Sequence, residues 1–194
     1  MNFLAHLFLS CQDENLLIGN FIADSIRNRD IPTYSSDIQK GVFLHRRIDS
    51  YTDQHPEVKK GTRRLHPNHG KYAPVVVDIF YDYILSHNWH QYSEEPLTRF
   101  SKRMYWILEQ RMAELPTKLQ RSVPSMISND WLMNYGKEDG LRNVFSRMKE
   151  RAKFPTNFDR AVDDLLKDYP LFEEEFNAFF PEVIREVNTF CGCD

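Results

Sequence analysis

Apolar residues recur at steps of three and four along almost the whole chain. Asn2, His6 and Ser10 interrupt an otherwise apolar opening every four residues, tracing a single polar stripe on a helix predicted over residues 2–10. Asp13, Glu14 and Asn15 open a second helix with acids at the positive end of its dipole. The body of that helix, residues 16–26, carries Asn20 and Asp24 four apart among apolar neighbours. Gly19 and Ala23 precede them and allow another backbone to come close. After a loop over residues 27–33 that Pro32 closes, Ser35 or Ser36 is placed to cap a third helix, which Pro56 ends. A short basic helix to about Leu65 follows, then a turn over residues 66–70 and a strongly apolar helix over residues 72–89. Farther on, the pattern is amphipathic. It predicts one long helix over residues 94–114, another from Pro116 that Pro124 kinks or splits, a turn over residues 135–140, and helices near 138–152, 157–168 and 171–190. No alternating strand pattern, internal repeat, Gly-rich phosphate loop or Gly-x-Ser-x-Gly elbow interrupts this. The predicted fold class is all-α, a single compact multi-helix domain over residues 1–194 with eight to ten helices.

The polar residues inside apolar stripes carry the candidate chemistry. His45 and Asp49 are one turn apart, and so share a face on the helix that Pro56 ends, with Thr52 and Asp53 continuing that side. Asp78 and Asp82 repeat the spacing inside Val75-Val76-Val77-Asp78-Ile79-Phe80-Tyr81-Asp82-Tyr83-Ile84-Leu85. Together with His6, Asn20 and Asp24, all these groups fall in the first 90 residues. Unpaired buried carboxylates are costly, so gathering them around one cation resolves the problem. Imidazole and carboxylate ligands without thiolates suit Mn²⁺, Mg²⁺ or Fe²⁺ better than structural zinc, and such sites hydrolyse phosphoesters.

Composition narrows the setting. Hydrophobic residues make up 41% of the 194, enough for a substantial core. The net charge of −3 conceals a basic zone, since residues 27–72 hold ten Lys/Arg against five acids. That zone suits an anionic substrate or an acidic partner, and no nucleic-acid motif accompanies it. Three cysteines, Cys11, Cys191 and Cys193, are too few for a disulfide framework and are expected to be reduced and structurally idle. The apolar opening has no basic n-region and no cleavage site, and no apolar run reaches the ~20 residues needed to cross a bilayer, so a cytoplasmic protein is expected.

Four blocks in this order carry a family resemblance: Met-Asn-Phe-Leu-Ala-His-Leu from residue 1, Gly-Asn-Phe-Ile-Ala-Asp at 19–24, Leu-His-Arg-Arg-Ile-Asp-Ser-Tyr-Thr-Asp-Gln-His-Pro at 44–56, and Val-Asp-Ile-Phe-Tyr-Asp-Tyr-Ile-Leu at 77–85 with Trp89. The chain resembles the acyl-carrier-protein phosphodiesterases, or ACP hydrolases. The resemblance implies a helical fold related to the HD metal-dependent phosphohydrolases, and removal of 4′-phosphopantetheine from the serine of holo acyl carrier protein. It also implies a divalent metal, Mn²⁺ before Mg²⁺ or Fe²⁺. Carried onto this chain, it makes Asp24 and Asp78 the first metal candidates, His45 and Asp49 the next, and His6 and Asp82 the last; Asp24, His45, Asp49 and Asp78 are the expected catalytic group. The expected docking residues for the acidic carrier protein are Arg27, Arg29, Arg46, Arg47, Arg63 and Arg64. The chain has no adjacent His-Asp dyad, and Tyr83 stands where family members often have His. Two other readings of the same residues are a phosphohydrolase of nucleotides or other small phosphoesters, and a helical module that grips acyl carrier protein without catalysis.

Overall fold

The computed structural model describes residues 1–192, and among them all regular structure is helical. Eleven α-helices follow in order: α1 (Phe3–Phe8), α2 (Glu14–Ile22), α3 (Ser36–Gln54), α4 (Pro56–His69), α5 (Ala73–His87), α6 (Leu97–Gln110), α7 (Thr117–Ser128), α8 (Trp131–Asn134), α9 (Glu138–Arg151), α10 (Ala161–Lys167) and α11 (Tyr169–Cys191). Short 3₁₀ turns occupy Ala23–Ser25 and Asn28–Thr33 between α2 and α3. The expected starts have local causes. Asp13 accepts from the amides of Asn15 and Leu16 to cap α2, and Ser35 accepts from Ile38 to cap α3. His55 ends α3, and Pro56 occupies the first turn of α4, where its missing N–H costs nothing.

Prolines break fewer helices than predicted. Pro67 lies within α4, which continues to His69, and Pro124 lies within α7. Each removes one hydrogen bond, while buried neighbours (Leu65 and His69 in α4, Val123 and Met126 in α7) hold the helix against the core. The helix expected over residues 94–114 ends at Gln110.

α11 is the spine of the core. Phe172, Phe176, Phe179, Phe180, Val183 and Val187 are all buried along it, and it packs against α3, α4 and α5. Edge-to-face contacts join Phe80 to Phe145 and Phe172, and Tyr81 to Phe176, at centroid separations of 5.2–6.0 Å. Burying each such ring stabilises the fold by about 1.5–3 kcal/mol.

Two features of this packing place the polar groups. α2 lies along α3 at backbone contact: a Cβ added to Gly19 would stand 2.7 Å from the Gly41 Cα, so neither glycine has room for a side chain. This sets Asn20 of α2 against His45, four residues after Gly41 on α3. The second feature is at α1, where the N-cap residue Asn2 makes no side-chain cap bond. Asp82 of α5 does so instead, its oxygens accepting from the amides of Leu4 at 2.8 Å and Ala5 at 3.1 Å. Asp82 is fully buried, and burial raises its carboxyl to about 7. Named above as a metal candidate, it is a structural cap turned towards α1. Asp82→Ala should orphan two buried donors and lower stability by about 2–6 kcal/mol, since each costs roughly 1–3. Chemical denaturation checks this, and a loss under about 0.5 kcal/mol would mean that water replaces the cap.

The cysteines differ from expectation. Cys11 and Cys191 are joined by a disulfide with Cα atoms 6.4 Å apart, tying the segment after α1 to the end of α11. Chain order hides this pairing because 180 residues separate the two. Cys193 lies outside the described residues.

Candidate metal centre

His6 on α1, Asn20 on α2, and His45 and Asp49 on α3 converge. Asn20 is the hub of the group and is itself buried. Its Nδ2 donates to the His6 carbonyl at 2.8 Å and to Ser10 Oγ at 3.1 Å, which settles which end of the amide is oxygen. Its Oδ1 then faces His6 Nδ1 at 2.8 Å and His45 Nδ1 at 3.0 Å. An amide oxygen only accepts, so both Nδ1 atoms carry hydrogen, and in the neutral rings both Nε2 atoms present a lone pair.

Those two Nε2 atoms point the same way. His6 Nε2 lies 3.1 Å from Asp49 Oδ1, and His45 Nε2 lies 3.1 Å from Asp49 Oδ2 and 3.2 Å from Asp24 Oδ1. The rings stack with centroids 4.1 Å apart. The separations are of hydrogen-bond length, yet both Nε2 atoms are buried with no hydrogen bond among the described residues. Lone pairs aimed at a carboxylate repel it unless a proton or a metal ion lies between them. Two stacked imidazoles resist carrying two protons, and the electrostatics follow: burial first, with His45 also opposing, lowers the His6 imidazole despite Asp49. For His45, burial is outweighed by Asp24 and Asp49, which raise it to about 9. Burial would raise the Asp49 carboxyl, but His45 and His6 hold it well below the usual range. Donor atoms of His6, His45 and Asp49 all lie within 4.8 Å of one another, so this group could hold a metal ion.

The other predicted residues take different places. Asp24 is in the 3₁₀ turn after α2, with its side chain 84% exposed rather than buried as its apolar neighbours suggested. It approaches His45 from the solvent side, and the imidazole of His45 beside it lowers its carboxyl. Asp78 is on the opposite side, 2.9 Å from the α-amino group of Met1, which is also 3.7 Å from Asp49 Oδ1. A buried ammonium held between these two carboxylates shows that this wall of the site favours positive charge. Asp53, one turn beyond Asp49, also faces this wall: burial and the nearby Asp78 raise its carboxyl.

Asn20 is buried, as its apolar neighbours imply, but its place at the centre of the site is not among the expectations above. Its spacing from Asp24, directly after Gly19, was the available signal.

The basic zone divides. Arg64 is consumed by Glu175 through two hydrogen bonds and stacks on Phe172 with its guanidinium 4.8 Å from the ring centroid, so it is a structural residue rather than a free docking group. Arg47 pairs with Glu186 at 2.6 Å. Arg63 donates to the Lys59 carbonyl of its own helix. Arg27 donates twice to Asp30, but that pair, unlike the one Arg64 makes, is at the surface. Arg27 and Arg29 are about 70% exposed, and Arg46 bonds Asn28 in the same turn, so these three flank the Asp24 side of the cluster. His66 and His69, expected in a turn, are helical, and His69 is buried against Asp164 at 2.8 Å.

A sequence model described as acyl carrier protein phosphodiesterase matches residues 1–183. The chain belongs to that family. It is 32% identical to the acyl carrier protein phosphodiesterase of Enterobacter sp. (strain 638) over 95% of this chain and 96% of that one. It is 30% identical to the protein of that name from Pectobacterium atrosepticum over 97% and 98% of the two chains, and 32% identical to that of Escherichia coli O6:H1 over 97% and 98%. No solved structure matches. Membership of the family makes the chain a phosphodiesterase. No helix among the described residues is long and apolar enough to cross a membrane.

The pH dependence of the metal-free protein follows from two of these shifts. His45 (ordinarily 6.5, raised to about 9) and Asp82 (ordinarily 3.8, raised to about 7) both bind their protons more tightly in the folded state. The stability they contribute is therefore complete below the ordinary values and lost as pH rises through about 7 for Asp82 and about 9 for His45. With chelator present, the melting temperature should fall across that window. A divalent cation held by this group would take the place of the His45 proton, so adding one should recover the melting temperature most at the alkaline end. A flat profile in both conditions would contradict the reading.

Proposed function

We propose that this protein hydrolyses the phosphodiester between 4′-phosphopantetheine and the serine of holo acyl carrier protein, releasing 4′-phosphopantetheine and apo carrier protein, in the cytoplasm and with residues 1–194 acting as a single domain. The observation that carries the site is the pair of buried histidine Nε2 atoms, their tautomers set by Asn20, converging on Asp49 without hydrogen bonds. His6, His45 and Asp49 would hold a divalent cation, Mn²⁺ first, with Asp24 joining from solvent and Asp78 from the Met1 side. Such a cation acts as a Lewis acid on phosphoryl oxygens and lowers the pKa of a bound water. The kinship with HD phosphohydrolases rests on the four sequence blocks and on this His/Asp donor set.

The chain's own residues divide the remaining work. Asn20 keeps both imidazoles oriented; Asp82 holds the start of α1 and so sets the position of His6. Arg27, Arg29 and Arg46, with the exposed Phe43 beside Arg46, form the face that receives the acidic carrier protein on the Asp24 side. Metal analysis of protein purified without chelator, paired with a mass-shift assay on holo acyl carrier protein, tests site and substrate together; absence of the phosphopantetheine mass loss with every divalent metal supplied would refute the reaction.

Docking through exposed charges acts mainly on encounter rate and weakens with salt. Arg27→Glu with Arg29→Glu should therefore raise KM for holo carrier protein severalfold and flatten its salt dependence, while turnover of bis(p-nitrophenyl) phosphate changes little. A KM and salt slope equal to wild type would place the docking face elsewhere.

A further inference from the structure

A cavity of about 330 Å³ lies between α7, α8 and α9, lined by Asn129, Trp131, Asn134, Tyr135, Asn143 and Arg147 among others. The first three residues lie between its walls and the cluster. The α-amino group of Met1 touches Asp78, the side chain of Asn2 lies against the Tyr135 hydroxyl, and the Phe3 ring packs on Trp131 with centroids 6.4 Å apart. Consecutive Cα atoms are about 3.8 Å apart, so these contacts place the cavity wall within a few residues' length of the proposed reaction centre.

The polar groups of this cavity are complementary to an amide. The indole Nε1–H of Trp131 is buried and has no acceptor among the described residues. An unpaired buried donor is costly, so a partner carbonyl there would be strongly favoured. Asn134 Nδ2 donates to the Asn129 carbonyl and Asn129 Nδ2 to the Ser125 carbonyl. With their amide nitrogens engaged, their Oδ1 atoms are left to accept. Arg147 lies over the indole at 5.5 Å and backs the ring as a flat wall. A donor, nearby acceptors and an aromatic face together suit a chain of secondary amides.

We propose that this cavity is the subsite for the pantetheine arm, whose two secondary amides, hydroxyl and geminal dimethyl group match a polar, aromatic-walled pocket. The inference rests on the function proposed above. The arm runs from the cluster past Asn2 and Phe3 into the cavity, an arm carbonyl accepts from Trp131 Nε1–H, and the carrier protein lies on the Asp24 side. Specificity for a pantetheine diester over a plain phosphodiester then comes from α8 and α9.

Calorimetric titration of the full chain with 4′-phosphopantetheine and with inorganic phosphate tests this, using wild type, Trp131→Phe and Asn143→Trp. The first variant keeps an aromatic ring at position 131 and removes the N–H together with the five-membered part of the indole; the second puts bulk into the cavity from an exposed position on α9. Wild type should bind 4′-phosphopantetheine more tightly than phosphate, and that preference should fall about tenfold or more in both variants, with phosphate affinity unchanged. In NMR, the indole N–H resonance that disappears in Trp131→Phe should shift on adding 4′-phosphopantetheine to wild type. Equal preference in all three proteins, or none in wild type, overturns the subsite. A wild type that shows the preference but never releases phosphopantetheine from holo carrier protein refutes the proposed reaction and leaves the subsite standing.

Discussion

Asp49→Ala is expected to lower kcat/KM on holo acyl carrier protein by well over the roughly 10–100-fold that follows loss of an outer-shell partner. Asp49 is the single carboxylate facing both histidines, with Oδ1 towards His6 and Oδ2 towards His45. Without it, two buried imidazole lone pairs lie side by side with no carboxylate shared between them, and a divalent cation loses its main electrostatic attraction. Asp49→Asn sharpens the test, since it keeps the shape and removes the charge. Circular dichroism should show both variants folded, while metal content after purification drops. Turnover near wild type in Asp49→Asn would refute the metal assignment.

Asn20→Ala should cost about 10–100-fold in metal affinity or kcat, although Asn20 is not itself a ligand in this reading. Its Oδ1 is the common acceptor of both histidine Nδ1–H groups, so its removal frees each ring to turn or to change tautomer. It also orphans two buried donors, at about 1–3 kcal/mol each. A purely structural role is separable by a second substitution. Asn20→Asp can still accept from both Nδ1–H groups but cannot donate to the His6 carbonyl or Ser10 Oγ. If tautomer control is what matters, Asn20→Asp retains more metal affinity than Asn20→Ala even where it melts lower. If the two variants lose affinity in proportion to stability, Asn20 serves packing alone.

Much of the architecture was readable because helix signals are local. The cap at Ser35, Pro56 in the first turn of α4 and the fourfold spacing of His45 and Asp49 all act within a few residues. The same locality explains the errors. Pro124 reads as a break because propensity counts the missing hydrogen bond and not the burial of Val123 and Met126. Asp24 reads as buried because its neighbours are apolar, yet the chain tightens into a 3₁₀ turn at Ala23 and swings the carboxylate to solvent. Asp82 reads as a ligand because a buried carboxylate needs a partner; its partners are backbone amides of α1, which carry no signature in the side-chain sequence.

By itself, then, the order of residues determined the helical class, most helix starts, the family resemblance and the polar groups from which a metal site could be assembled, since each follows from spacing along one helix or from a contiguous block. Only the tertiary structure decided how those groups are used. The contact between Gly19 and Gly41 sets Asn20 between two histidines, Asp82 crosses 78 residues to cap α1, and Glu175 reaches 111 residues to take Arg64 out of the basic face. The physical reason is that a buried polar group is satisfied by whatever the packing brings within about 3 Å, and helix crossings, not sequence neighbours, choose that partner.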